Sequence, residues 1–203
     1  MAEAKPIGIL SFQKAIRGGV RPNLFQVAHP FPSQIQVSGI DGVGGTAEEA
    51  VTLMCKSAAL PATNVGTVEL PFRGRVIKVP GDRTFETWTA TFYMDDAFAL
   101  RSAYERWIDL VNRVDTNVAE VDLGNGYYQD VEVSQLDKFG GNNDVQILRT
   151  YNLISAWPVS VSQVSVAYDN NDSYEEFDVE FAYQYHTTTD GSGSNLITPL
   201  NPN

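Results

Sequence analysis

The chain is short of four residue types that many functional sites use: cysteine, histidine and, from residue 115 onward, lysine and arginine. One cysteine among 203 residues, Cys55, excludes an internal disulfide framework and is typical of a reducing compartment. It ends an apolar run, which predicts a buried and unreactive thiol. The two histidines, His29 and His186, stand in no metal-binding spacing such as HExxH. We expect both to end strands at a surface or an interface.

Long apolar runs are also absent from the sequence. No segment approaches the roughly 18 uninterrupted apolar residues that cross a bilayer, and residues 1–6 lack the basic-then-apolar order of a signal peptide. We therefore expect an intracellular origin and no membrane insertion. The apolar content of 43% and the aromatic content of 11% are ample for a core, which excludes a disordered acidic protein.

The basic residues are unevenly distributed along the chain. Residues 1–114 hold 12 basic and 11 acidic side chains, whereas residues 115–203 hold 14 acidic side chains and two basic ones, Lys138 and Arg149. The formal net charge of −11 therefore belongs to the second part of the chain. A nucleic-acid binder neutralises phosphates with clustered lysine and arginine, so this composition argues against that class of protein.

The acidic residues follow a strand pattern rather than forming a tail. Within 174–186, Phe177, Val179 and Phe181 alternate with acidic residues, which is the period of a strand with one wet face. Residues 127–136 repeat this pattern more weakly, around Val131 and Val133. We therefore predict a folded sheet that presents its acids on one face.

One amphipathic helix is predicted behind Asp95 and Asp96, which supply N-cap chemistry. Apolar residues then recur on one helical face. They are Leu100, Tyr104, Trp107, Ile108 and Val111.

The fold class predicted from these patterns is mainly β: two packed antiparallel sheets, sandwich- or barrel-like, with one capping α-helix. The length favours a single domain over 1–203, with an N-terminal arm over 1–20 and a loose C-terminal arm over 187–203. Further predicted segments are strands over 21–29, 67–70, 73–79, 85–94 and 145–157, a turn at 80–82, a glycine-rich loop over 38–47, and an ambiguous stretch over 48–65.

No catalytic constellation is present, so we expect neither enzyme activity nor a cofactor. The glycines at 42–45 are not followed by the lysine of a phosphate-binding loop. The acidic turn at 169–176 lacks the residue order and the final glutamate of a calcium-binding loop. A monomeric acidic β-domain that binds a small ligand or a divalent metal through this turn is the alternative function.

Three segments resemble the tail tube proteins of contractile-tailed bacteriophages. They are Arg21–Val27 (RPNLFQV), Lys56–Asp109 (KSAALPATNVGTVELPFRGRVIKVPGDRTFETWTATFYMDDAFALRSAYERWID) and Tyr151–His186, which holds NLISAWPVSVSQVSVAYDNNDSYEEFDVEFAYQYH. The resemblance covers about two-thirds of the chain in the family's order and extends to the related tubes of type VI secretion systems and tailocins. It implies a virion subunit, assembled in the host cytoplasm, whose rings, expected to be hexameric, form a continuous β-barrel and stack into a tube.

The resemblance also implies partners: further copies of the chain, the tail sheath protein, the baseplate and tail terminator proteins, and viral DNA that passes through without specific binding. An acidic wall would suit such a channel because it repels the duplex. We predict that some of five acids line the channel, the alternative being that they face solvent or the sheath outside. They are Asp130, Glu132, Glu176, Asp178 and Glu180.

Ring-to-ring contacts are predicted in the two arms and in the loop over 40–65, from their composition and from the resemblance. The candidate stacking residues are Lys5, Phe12, Ile40, Val43, Leu53, Leu60, Leu196 and Ile197.

Overall fold

The fold is taken from a computed structural model, which describes residues 8–35, 47–120, 126–138, 146–169 and 171–197. Within these ranges the chain forms three helices and ten strands. The helices are α1 (Ile9–Ile16), α2 (Ala47–Met54) and α3 (Ala99–Val111). The strands are β1 (Phe25–Ala28), β2 (Cys55–Ala58), β3 (Asn64–Phe72), β4 (Arg75–Thr84), β5 (Trp88–Tyr93), β6 (Gln129–Leu136), β7 (Ile147–Val161), β8 (Glu176–Ala182), β9 (Tyr185–Asp190) and β10 (Asn195–Ile197).

Eight of the ten strands form two antiparallel sheets that share the long strand β7, and β3 and β4 form a separate two-stranded hairpin. The first part of β7 pairs with β6 and β9, and its last part pairs with β8. We call β1, β6, β9, β10 and the first part of β7 the β6 sheet, and β2, β5, β8 and the last part of β7 the β8 sheet. This arrangement confirms the predicted fold class, although the described strands do not close into a barrel within the single chain.

Helix α3 covers the inner side of the β8 sheet with a layer of aromatic rings. Tyr104 and Trp107 are fully buried and lie 6.0 and 6.1 Å from the ring of Phe181. The Trp107 indole N–H donates to the carbonyl of Tyr127 at 2.7 Å, so the buried polar atom is satisfied. The helix is therefore confirmed, but its buried face is rotated from the prediction. The buried side chains are Leu100, Ala103, Tyr104, Trp107 and Leu110, while Ile108 and Val111 are half-buried.

The start of α3 confirms the predicted capping chemistry for one of the two aspartates. The carboxylate of Asp95 accepts hydrogen bonds from the backbone N–H groups of Ala99 at 2.8 Å and Leu100 at 3.3 Å. These N–H groups belong to the first turn, where no intrahelical partner exists. Asp95 thus caps the helix from outside it, while the residue directly before the helix is Phe98 with a positive φ of 54°.

The predicted turn at 80–82 is wrong, because these residues lie inside β4. Pro80 stands opposite Thr67 in the ladder, and the strand continues to Thr84. The turn of this hairpin is instead made by Arg73 and Gly74, both with positive φ, as a two-residue hairpin loop of type I′ requires. Proline is tolerated here because the two-stranded hairpin consists of edge strands.

The single strand predicted over 174–186 is two strands. β8 ends at Ala182, and after two residues β9 begins at Tyr185 and moves to the β6 sheet. The Gln184 N–H donates to the Ile154 carbonyl at 3.1 Å, which holds the crossing point against β7. The arm boundary expected at residue 187 therefore falls inside β9, and 195–197 pair with β9 as β10.

The N-terminal segments also differ from the prediction. Residues within the expected arm form α1, in which no side chain is buried. The ambiguous stretch over 48–65 contains the short helix α2 followed by β2. The predicted loop over 38–47 lies almost entirely outside the described residues. The strands predicted over 21–29, 67–70, 73–79, 85–94, 127–136 and 145–157 are confirmed with shifted ends.

The two histidines are buried, so their predicted surface location is wrong. His29 is 1% exposed and His186 is 5% exposed. Aromatic rings surround both: His29 lies among Phe31, Tyr104, Trp107 and Phe181, and His186 contacts Phe85. Cys55 is half-buried rather than buried, and desolvation raises its pKa to about 12, which keeps the thiol protonated and unreactive.

His29 predicts a pH-dependent stability. Its Nδ1 donates to the Pro30 carbonyl at 3.0 Å and its Nε2 accepts from the Tyr104 hydroxyl at 2.8 Å, while burial lowers its pKa to about 4. The unfolded chain binds a proton near pH 6.5 and the folded chain does not, so this group lowers the free energy of unfolding as the pH falls from 6.5 to 4. The loss is about 3 kcal/mol.

Urea unfolding of the wild type and of His29→Gln across this pH range measures the effect. The stability difference between the two proteins should shrink as the pH falls. A difference that stays constant would contradict the assignment of this titration to His29.

Candidate functional site: the acidic strand face and the projecting hairpin

Strand β8 separates apolar from acidic side chains across the β8 sheet. Phe177, Val179 and Phe181 are fully buried against α3. Glu176, Asp178 and Glu180 occupy the opposite face, with Asp178 exposed and the two glutamates half-buried. The predicted alternation is therefore confirmed over the length of this strand.

Hydroxyl groups from the neighbouring strands hold two of these carboxylates. Asp178 accepts a hydrogen bond from the Thr91 hydroxyl at 2.7 Å. Glu180 accepts from the hydroxyls of Thr87 and of Ser160, the latter at 3.1 Å. These hydrogen bonds hold each carboxylate in one position. The face is therefore an ordered array of negative charge with neutral donors between the charges.

Glu176 differs because it is paired with a cation. The Lys56 ammonium lies 2.5 Å from its carboxylate, and this hydrogen bond raises the pKa of Lys56. The same ammonium lies 5.9 Å from the ring centre of Tyr93. The net negative charge of the face therefore comes from Asp178 and Glu180, and the end near Glu176 is locally neutralised.

The other two candidate acids lie on the β6 sheet. Asp130 and Glu132 are exposed, while Val131 and Val133 are buried. The Asp130 carboxylate accepts from the Ser155 backbone N–H at 2.9 Å. The five acids therefore occupy the wet faces of two sheets that cover one core, an arrangement that the alternation in the sequence does not reveal.

The described stacking candidates are exposed but lie on different elements. Phe12 is on α1, Leu53 on α2, Leu60 between β2 and β3, and Leu196 on β10, each about half exposed or more. Ile197 ends β10, and Lys5, Ile40 and Val43 lie outside the described residues. The described candidates therefore belong to separate elements of the fold.

A larger apolar surface, which was not predicted from the sequence, is the hairpin formed by β3 and β4. These strands pair with each other and with no other described strand. Its apolar side chains are about half exposed. Where one face of a hairpin packs on a core, exposure alternates along each strand, and no such alternation is present here. In the sequence, Val68, Leu70 and Phe72 recur at alternate positions of β3, a pattern that normally indicates a buried face. The half-exposed apolar side chains are Val65, Val68, Leu70, Phe72, Val76 and Ile77.

The base of this hairpin is attached firmly to the body. The Thr63 hydroxyl lies 3.2 Å from His186 Nε2, and the ring of Phe85 lies 5.6 Å from the His186 ring. Asn64 donates to the Glu86 carboxylate at 3.1 Å, which joins the two ends of the hairpin. The hairpin therefore has an anchored base and a free tip.

The loop between β7 and β8 is a second exposed surface, and it contains the turn proposed as an alternative metal site. Val166, Tyr168 and Tyr174 are largely or fully exposed there. The loop borders a cavity of about 260 Å³ lined by Gln163–Ala167 and Ser173–Glu176. Among the residues that the structure describes, no group of three or more histidine, cysteine or acidic side chains is arranged to hold a metal ion.

With this geometry in place, comparison with known families gives a clear match. The family model of the phage tail tube protein matches residues 20–189. This chain belongs to the phage tail tube protein family. The match contains strands β1 to β8, nearly all of β9 and helix α3, and it confirms the family resemblance seen in the three sequence segments.

Individual tail tube proteins support the same assignment. The chain is 26% identical over 165 residues to tail tube protein gp19 of Enterobacteria phage T4, covering 81% of this chain and 89% of that protein. Its fold is similar to a chain in the sheath–tube complex of an extracellular contractile injection system (PVC) in the extended state. That match has a TM-score of 0.55 at 16% identity and covers 89% and 97% of the two chains.

A chain in the baseplate of the anti-feeding prophage matches with a TM-score of 0.56 at 12% identity, covering 83% of this chain and 93% of that one. These structural matches concern the fold. Among the described residues of this tail tube family member, no helix is long and apolar enough to cross a membrane.

Asp130 and Glu132 should contribute differently to stability, because Asp130 accepts a hydrogen bond from the backbone of β7. Asp130→Ala should lower the free energy of unfolding by about 1 kcal/mol, because it removes a charged acceptor from the Ser155 N–H at the point where β7 changes partner. Glu132→Ala, on the same strand, is the matched control, with an expected change within about 0.5 kcal/mol. Chemical denaturation measures both; equal effects would show that the hydrogen bond to Ser155 adds nothing specific.

Proposed function

We propose that this chain is the subunit of a phage tail tube, that its rings are hexameric, and that the stacked rings form the channel through which DNA is ejected. The family match over residues 20–189 carries the proposal. The function is structural, and the proposal assigns no catalytic role. The finished tube belongs to the virion, with assembly in the host cytoplasm.

The free edges of the sheets support assembly into a ring. The four-residue strands β1 and β2 lie at opposite ends of the path of paired strands. An edge strand has unpaired N–H and C=O groups and can pair with another chain. In a ring, the edges of one subunit would meet those of the next, so that the sheets continue from subunit to subunit.

The β8 sheet is the better candidate for the channel wall. Its carboxylates at 178 and 180 are ordered by hydroxyl donors, and the Lys56 ammonium is paired with Glu176. Asp130, on the β6 sheet, already accepts a hydrogen bond from the Ser155 N–H, where β7 changes partner. Six copies of the β8 face would surround DNA with negative charge. Because the Debye length is about 8 Å at physiological salt, this repulsion acts only near the wall.

The remaining partners follow from assembled relatives. The similar chains come from a sheath–tube complex and from a baseplate. By analogy, this subunit would contact further copies of itself, a sheath protein, baseplate proteins and a tail terminator. The exposed apolar residues of α1, such as Ile9 and Phe12, are available for one of these contacts.

Electron microscopy of the purified full-length chain, alone and with the baseplate and terminator proteins, tests the assembly. Rings or tubes with a central channel are the expected result, and image classification would give the number of subunits per ring. A particle that stays monomeric under all these conditions would overturn the proposal.

The channel assignment makes a separate prediction. Changing Glu176, Asp178 and Glu180 together to lysine should leave tubes intact but slow DNA ejection, because a positive wall attracts the phosphates. Phage carrying the variant can be followed by the rate of DNA release. The control is Glu132→Lys on the other sheet, which should have a normal rate. A normal rate for the triple variant as well would exclude the β8 face from the channel.

A further inference from the structure

The hairpin formed by β3 and β4 combines exposed apolar residues with positive charge. Residues 64–84 contain four basic and two acidic side chains, in a chain whose net charge is −11. Lys78 is paired with Glu69 at 3.6 Å on the shaft of the hairpin. Arg73 and Arg75, at the tip, make no ion pair with any described carboxylate, so the positive charge is concentrated at the free end.

The tip has an unfavourable residue for its conformation. Arg73 has a φ of 46°, which glycine or asparagine adopts more readily than a long side chain. Its guanidinium lies 5.4 Å from the ring centre of Phe72. An arginine at this position costs local stability, and strained residues of this kind are concentrated at functional sites. The geometry of the turn therefore does not by itself explain an arginine at position 73.

The hairpin and the β7–β8 loop lie at opposite ends of the β8 sheet. In the ladder of β5 and β8, Trp88 stands opposite Phe181 and Tyr93 stands opposite Glu176. The hairpin leads into Trp88, and the loop leads into Glu176. At roughly 3.3 Å per residue, the six residues of β5 separate these ends by about 17 Å. Copies stacked along the strand direction would place the hairpin of one against the loop of the next.

The surface of the loop complements the surface of the tip. Residues 162–175 contain three acidic side chains and no basic ones. Asp169, Asp172 and Glu175 make no ion pair with a described basic residue. Tyr168 and Tyr174 are exposed, and Tyr174 lines the cavity of about 260 Å³. The loop thus offers carboxylates and aromatic faces, the groups that bind guanidinium most strongly.

We propose that the tip of the hairpin, Phe72–Arg75, docks on the β7–β8 loop of a second copy of this chain, with Arg73 and Arg75 paired to Asp172 and Glu175. This inference rests on the proposed tube function and specifies the chemistry of its ring-to-ring contact. The two surfaces are different and lie at opposite ends, so the contact is head-to-tail. Such a contact does not close on itself, and it builds a filament of unlimited length.

The contact explains two otherwise costly features of the isolated chain. The apolar shaft, with Leu70 and Ile77 about half exposed, would lie against the neighbouring copy instead of water. The strained Arg73 would gain a charge-assisted hydrogen bond to a carboxylate. Both surfaces are exposed before assembly, so their opposite charges also orient the approaching copies.

Charge reversal of the two surfaces tests the proposal. The full-length variant Arg73→Glu/Arg75→Glu should need a protein concentration at least about tenfold higher to form tubes, because its acidic tip meets an acidic loop. Asp172→Arg/Glu175→Arg should have the same defect, with a basic tip meeting a basic loop. Negative-stain micrographs and sedimentation measure the tubes. Arg73→Lys/Arg75→Lys, which keeps both charges, is the matched control and should assemble nearly as the wild type does.

The chain with all four reversals provides the decisive measurement. It again has opposite charges on the two surfaces, so tubes should form at a protein concentration within about threefold of that of the wild type. The remaining difference would reflect the altered geometry of the new ion pairs. A defect caused by misfolding would not be rescued in this way. Circular dichroism of each variant identifies misfolding directly. The neutral pair Asp172→Asn/Glu175→Gln replaces any variant that does not fold, and it should have an intermediate defect.

The outcomes separate this inference from the proposed function. If the wild type forms tubes and Arg73→Glu/Arg75→Glu forms them equally well, the tip contact is wrong and the tube function stands. The tip contact is also wrong if the four-reversal chain remains as defective as the two-reversal chains. If the wild type itself forms neither rings nor tubes with its tail partners, the tube function fails and this contact fails with it.

Discussion

The structure depends on one strand that belongs to two sheets. β7 pairs with β9 up to Ile154 and with β6 up to Ala156, and it pairs with β8 from Trp157 onward. Ser155 lies at this change of partner and has a positive φ of 53°. Asp130 satisfies the Ser155 N–H at this point. Because the two sheets are continuous through β7, they enclose one core with α3, and their wet faces point to different sides.

The distribution of charge follows from the same arrangement. The alternation in β8 directs its apolar side chains to α3 and its acids away from the core, where threonine and serine hydroxyls hold them in place. The hairpin before β5 and the loop before β8 leave the sheet at its two ends and have opposite charges. A subunit with an acidic face along its strands and complementary ends is suited to stacking around a channel for a polyanion.

The successes and failures of the sequence predictions have physical causes. The α3 helix and the alternation around Val179 were predictable, because each is a local period imposed by one apolar environment. The turn at 80–82 was wrong because proline and glycine usually end strands, yet an edge hairpin tolerates them. His29 was misplaced because its burial depends on Tyr104, 75 residues later in the chain. The exposed hairpin was missed because apolar residues normally indicate burial.

The sequence by itself determined the fold class, the capping helix, the alternation of acids in β8 and the family, since these depend on local periods and on the order of segments along the chain. Only the tertiary structure decided which acids share a face, which end of the β8 sheet holds the hairpin, and that both histidines are buried. These features depend on pairing between distant residues, such as Trp88 with Phe181 and Ser155 with Asp130. Local composition cannot specify such pairings, because the register between strands is set by the whole core.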